Sequence, residues 1–102
     1  MTVSLQVLYS TADGTTFDHD YYASTHMGLV GEHIGIHIDQ TIIVKGLAGG
    51  PDTPPAFHAI ATMTFVDQAA LEAALGAAAP VLADIPNFFS GQPQMLIGQV
   101  TG

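Results

Sequence analysis

Hydrophobic spacing along this chain switches between two periods, and the order of the switches leaves few folds open. Val3, Leu5, Val7 and Tyr9 recur at every second residue against Thr2, Ser4, Gln6 and Leu8, which predicts a strand ending before the Ala12-Asp13-Gly14 turn. The spacing then becomes helical. Asp18 suits an N-cap and Asp20 complements the helix dipole, so the first helix is predicted from near Asp18 to Gly35. Gly28 and Gly31 inside it each cost about 1 kcal/mol relative to alanine, which implies tight packing or an irregularity near its middle.

A second strand is predicted over about Asp39 to Gly46, followed by an irregular Gly- and Pro-rich loop to Pro55. A third runs from Phe57 to Phe65, with Phe57, Ala59, Ala61, Met63 and Phe65 on one side and His58, Ile60, Thr62 and Thr64 on the other. Asp67 caps a helix over Gln68 to Ala79, where Leu71 and Leu75 are i, i+4 neighbours. Pro80 kinks or ends it before a short turn, Val81 to Asp84, and the last strand covers Gln92 to Val100. The order βαββαβ predicts an α+β fold of the ferredoxin-like kind, one domain over residues 1–102. Its sheet is four-stranded and antiparallel, with both helices on one face.

The other face is left bare. With 48% hydrophobic and 10% charged residues and a mean hydropathy of +0.38, this chain has little polar surface to spread over it. An uncovered face carrying Ile60 or Met63 calls for a second copy, so a homodimer is expected. No apolar run of about 18 residues exists to cross a membrane, and Met1-Thr2-Val3-Ser4 lacks the cationic start of a signal peptide. The absence of cysteine makes a reducing cytoplasm the default compartment.

Charge excludes whole classes of partner. Nine acidic residues against the single Lys45 give a net charge of −8, which leaves nucleic acid nothing to bind. With no arginine fork and no phosphate-cradling glycine motif, phosphorylated ligands are disfavoured too, and a neutral or weakly polar organic ligand is expected. His33 and His37 are i, i+4, but Gly35 interrupts them and no third ligand stands at motif spacing, so no metal is expected. Haem is not expected either, since one lysine is all that could meet its propionates.

The polar groups left for chemistry gather in FDHDYYASTHMGLV, residues 17–30. At about 100° per residue, Tyr22, His26, Leu29 and His33 share one stripe. A phenol and an imidazole on a buried stripe either fill a core or line a cavity where a proton moves. His26 is the candidate acid or base, and Tyr22, one turn back, can hold its tautomer or relay the proton. Tyr21, Leu29, His58, Ile85, Asn87 and Phe88 are the candidate substrate contacts. Four of the histidines also have a plain structural reading: a bridge between helix and sheet by two hydrogen bonds for His26, helix-end charge for His33 and His37, a half-exposed strand position for His58.

These segments resemble the EthD family, named for ethyl tert-butyl ether degradation. The likeness lies in Asp18, Asp20, Tyr21, Tyr22, His26 and Met27, in Lys45-Gly46 with the Gly49-Gly50 loop, and in Asp84-Ile85-Pro86-Asn87-Phe88. This chain departs from the pattern at Gly28, where the family usually has proline, and at Phe88, often tyrosine. The resemblance implies a dimeric α+β barrel. Its relatives look like cofactor-independent monooxygenases, decarboxylases, cyclases, isomerases and haem-handling enzymes, and the founding member belongs to an ether-degradation system built around a cytochrome P450. Two readings follow: a pocket enzyme without a cofactor, using His26 and Tyr22 on an apolar or aromatic metabolite, or a non-catalytic carrier serving an oxidoreductase. Fold alone does not choose between them.

Overall fold

The computed structural model describes all residues, 1–102. Strand β1 (Val3–Ser10) leads through a tight turn to α1 (His19–Tyr21), a π-helical turn (Tyr22–His26) and α2 (Met27–Ile34), which run on as one helix. Strands β2 (Gln40–Lys45) and β3 (Phe57–Phe65), helices α3 (Gln68–Gly76) and α4 (Ala79–Asp84), and β4 (Gln94–Gln99) complete the chain. The sheet has the order β2-β3-β1-β4 with every neighbour antiparallel, the ferredoxin-like arrangement. No single helix is long and apolar enough to cross a membrane.

The alternation read from the sequence sets the two faces. Val3, Leu5, Val7 and Tyr9 of β1 and Ala59, Ala61, Met63 and Phe65 of β3 are buried under the helices, where they meet Val30, Ile34, Leu71, Val81 and Ile85. Met63 therefore lies on the helix side, and of the two residues expected on the bare face only Ile60 is there. Cross-strand register adds Leu8, Val44, Ile42 and Leu96 to that face, beside Gln6, Thr62 and Thr64.

Two helical expectations change. Asp18 and Asp67 cap as predicted, accepting from the backbone N–H groups of Tyr21 and Ala70. Pro80, however, does not end a helix: it occupies the first turn of α4, where its missing N–H costs nothing. The stretch Val81 to Asp84 is thus helical and not a turn, and α4 with the turn after it is inclined 56° to α3. Of the two explanations for Gly28 and Gly31, the irregularity is the one realised, one turn upstream, because a Cβ at either glycine would meet open space. Gly31→Ala should therefore stabilise the protein by up to about 1 kcal/mol, the propensity difference with no packing penalty. A rise of about 4–8 °C in thermal midpoint is the expected reading, and a fall would show that α2 needs its glycine.

Candidate functional site

His26 is buried, at 3% exposure, and so is the carboxylate beside it, Asp84, at 7%. Nδ1 of His26 lies 2.9 Å from Asp84 Oδ2. The other carboxylate oxygen accepts from the Tyr21 hydroxyl at 2.6 Å and from the Asn87 amide at 2.9 Å. With both Asp84 oxygens accepting, the geometry assigns a proton to His26 Nδ1 and leaves Nε2 without a protein partner. Burial by itself would raise the Asp84 carboxyl. The hydrogen bonds from Tyr21, Asn87 and His26 outweigh it and hold the group below the ordinary carboxylate range.

The π-helical turn makes this convergence possible. Its closing bond runs from the Met27 N–H to the Tyr22 carbonyl, i to i+5, so residues five apart align. Tyr21 and His26 are five apart; in an α-helix they would stand about 140° from each other. The extra residue per turn also shifts every later position. The buried stripe becomes Tyr22, His26, Val30 and Ile34, while Leu29 and His33 are only partly buried.

Across from this helix, α4 ends in a 3-10 turn over Ile85–Asn87 that carries Asp84 to the site. A backbone bond of 2.9 Å from Asp18 N–H to Phe88 O and the pairing of Phe17 with Phe89 fix that turn against the helix start. Around them Tyr9 touches Phe17, Tyr22, Phe88 and Phe89, with ring centroids 5.1, 5.7, 5.5 and 5.2 Å apart. Phe88 also packs on His26 at 4.4 Å, and Tyr22 stacks beside it at 5.3 Å. The imidazole is thereby held in plane as well as by hydrogen bond.

His26 opens on a cavity of about 60 Å³ between the sheet and the helices. Its wall includes Leu5, Val7, Met63, Val30 and Ile85, and its titratable groups are Tyr9, Tyr22 and His26. Burial pushes the Tyr22 phenol up to about 12, against an opposing pull from the Tyr9 hydroxyl. Burial and the neighbouring Tyr22 raise Tyr9 as well. Both phenols stay protonated across the physiological range and serve as donors.

The structure brings some of the candidate residues together and scatters others. Tyr22, His26 and Ile85 line the cavity. Tyr21 and Asn87 do not line it; they hold Asp84, and that hydrogen bond raises the Tyr21 phenol. Phe88 backs the imidazole from outside the cavity. Leu29 is turned away by the π-helical turn. His58 is elsewhere too: a bulge in the β1–β3 pairing places its Nε2 at 3.0 Å from the Thr15 carbonyl, stacked on Phe17, as a structural tie. The orienting role given to Tyr22 in the sequence reading falls to Asp84. His33 and His37 gain no third ligand, as no three His, Asp or Glu side chains cluster as metal ligands would.

Comparison with known proteins bears on this arrangement. No family sequence model matches the chain, and no curated protein sequence does. Among solved structures, an EthD-like protein from Ralstonia eutropha JMP134 superposes with a TM-score of 0.87 at 31% identity, covering 99% of this chain and 93% of that one. This chain belongs to the EthD family. An ethyl tert-butyl ether degradation family protein from Bacillus halodurans C-125 matches over 99% of this chain and 100% of its own, with a TM-score of 0.72 at 19% identity. At 8% identity and a TM-score of 0.68, SnoaB of Streptomyces nogalater, a cofactor-independent oxygenase, shares the fold of this EthD-family chain over 99% of its length and 94% of SnoaB's.

The Asp84 network has a pH signature. A carboxylate held below its unfolded value contributes stability that is complete above about pH 4 and is lost as pH falls through the lowered folded value. The wild-type thermal midpoint should therefore drop steeply below about pH 4. Asp84→Asn should be less stable at neutral pH and show a shallower acid limb; an unchanged limb would mean that another carboxylate controls acid unfolding.

Proposed function

We propose that this chain is a small-molecule pocket protein of the EthD type in which His26, held by Asp84, takes a proton from a neutral, mainly apolar metabolite and returns it. The observation that carries this reading is the 2.9 Å contact between His26 Nδ1 and Asp84 Oδ2 on a histidine that lines the cavity and whose Nε2 has no protein partner. An ionised carboxylate behind the imidazole favours the imidazolium that forms when Nε2 accepts a proton. The Tyr22 hydroxyl, in the same wall, supplies a donor for oxygen charge that develops on the substrate. A carrier needs only the apolar wall; it gains nothing from a buried aspartate and histidine that cost free energy to desolvate.

Deuterium exchange tests the reading without knowledge of the natural substrate. In D2O, the wild type should accelerate exchange at the α-carbon of small neutral ketones. His26→Gln should abolish the acceleration, and Asp84→Asn and Tyr22→Phe should each reduce it about 10- to 100-fold. Ketones that raise the thermal midpoint while the wild type leaves their exchange rate untouched would instead establish the carrier.

The bare sheet face supports a homodimer as the working assembly. Ile42, Val44 and Leu96 are exposed there, in a chain with few charges to keep such a patch in water. Light scattering should give twice the chain's 10.6 kDa, and Ile60→Glu should halve it. A wild-type monomer at micromolar concentration would remove this part of the proposal.

A further inference from the structure

The cavity is sealed at one end and apolar at the other. His26, Tyr9 and Tyr22 are almost fully buried and form the inner end. Leu75 of α3, Leu82 of α4 and Met95 of β4 line the same cavity, yet they are 41, 45 and 47% exposed. Three separate elements thus bring half-exposed apolar side chains to one rim, where a wall serving only as core would be closed or edged with polar groups.

Size decides what the rim is for. The enclosed space of about 60 Å³ is less than half of the roughly 150 Å³ that holds benzene in an engineered cavity, so it admits a few heavy atoms and no aromatic ring. A ligand of metabolite size must continue past Leu75, Leu82 and Met95. There it finds apolar contact and no cation: the single lysine, Lys45, is on β2, at the opposite edge of the sheet from β4. Met95 pairs with Val7 and so projects to the helix side, away from the bare face that a second copy would cover. Dimerisation through that face leaves the rim open.

We infer that the site takes a neutral two-part ligand, with a compact carbonyl-bearing head enclosed beside His26 and a flexible aliphatic chain leaving between Leu75, Leu82 and Met95. The identity of the head rests on the proton-transfer reading proposed above; the chain follows from the rim and the cavity volume. In the balanced step, His26 Nε2 takes a proton from the carbon next to the carbonyl, the electron pair moves onto the carbonyl oxygen facing Tyr22, and the same proton or one exchanged with solvent returns to carbon. No oxidant or reductant is consumed.

Straight-chain methyl ketones from butanone to undecanone are the probes. Affinity, read by ligand-observed NMR titration, should rise about two- to four-fold per added methylene once the chain reaches the rim. In the Leu82→Asn/Met95→Gln double variant, the affinity ratio of undecanone to butanone should fall at least about tenfold. Leu82→Asn alone, at an exposed position, should show part of that loss and keeps the test open should the double variant fold poorly. Decanoate, an anion of matching length, should bind more weakly than undecanone. Affinity independent of chain length, a ratio unmoved by the rim variants, or preference for decanoate would each overturn the inference. Chain-length dependence without wild-type deuterium exchange would uphold the aliphatic chain and remove the proton-transfer reading of the head.

Discussion

The buried Asp84 carboxylate is the constraint on which the rest of the site depends. A chain with one lysine and no arginine has almost no cation to offer a buried acid, so the charge must be met by hydrogen bonds. Tyr21, Asn87 and His26 supply three, from two segments about sixty residues apart. Removing one leaves a buried charge short of a partner, at a cost on the order of 1–3 kcal/mol. The helix accepts a π-helical turn because Tyr21 and His26 reach the same carboxylate only when residues five apart align. One electrostatic requirement thus sets the local helix geometry, the buried stripe downstream and the direction of the imidazole.

Most of the fold was legible because strand alternation and aspartate caps are local signals. The faces of β1 and β3 follow directly from Val3 to Tyr9 and Phe57 to Phe65, and the order βαββαβ leads to the observed sheet. Regular periodicity misled where the helix was irregular. A constant 100° per residue put Leu29 and His33 on the functional stripe, and the added residue of the π-helical turn replaced them with Val30 and Ile34. On sequence alone Pro80 kinks or ends a helix, because its position relative to a helix start depends on where α3 ends, at Gly76, which propensity in an alanine-rich stretch does not mark.

Asp84 was missed as a site residue for a different reason. Its partners Tyr21 and His26 lie 63 and 58 residues away, so no spacing rule joins them. A signal was nonetheless present: in VLADIPNFF the aspartate is the one charge in an apolar stretch leading into a turn, a place where a carboxylate is buried only if something holds it. His58 keeps the half-exposed strand position of its structural reading, but its facing differs. Alternation placed it on the mixed face, and the bulge near Ser10 turned it instead to Thr15 and the aromatic cluster.

One proton decides the site: His26 carries it on Nδ1, toward Asp84, and keeps Nε2 free of protein partners. Nitrogen-15 NMR of the histidine ring, at a pH high enough for the ring to be neutral, reads this directly, through the shifts of the two nitrogens and their couplings to the ring protons. The predicted result is an Nδ1-protonated neutral form for His26 that Asp84→Asn weakens or reverses. An Nε2-protonated neutral form in the wild type would mean that Asp84 does not orient the ring, and would contradict the proposed proton transfer.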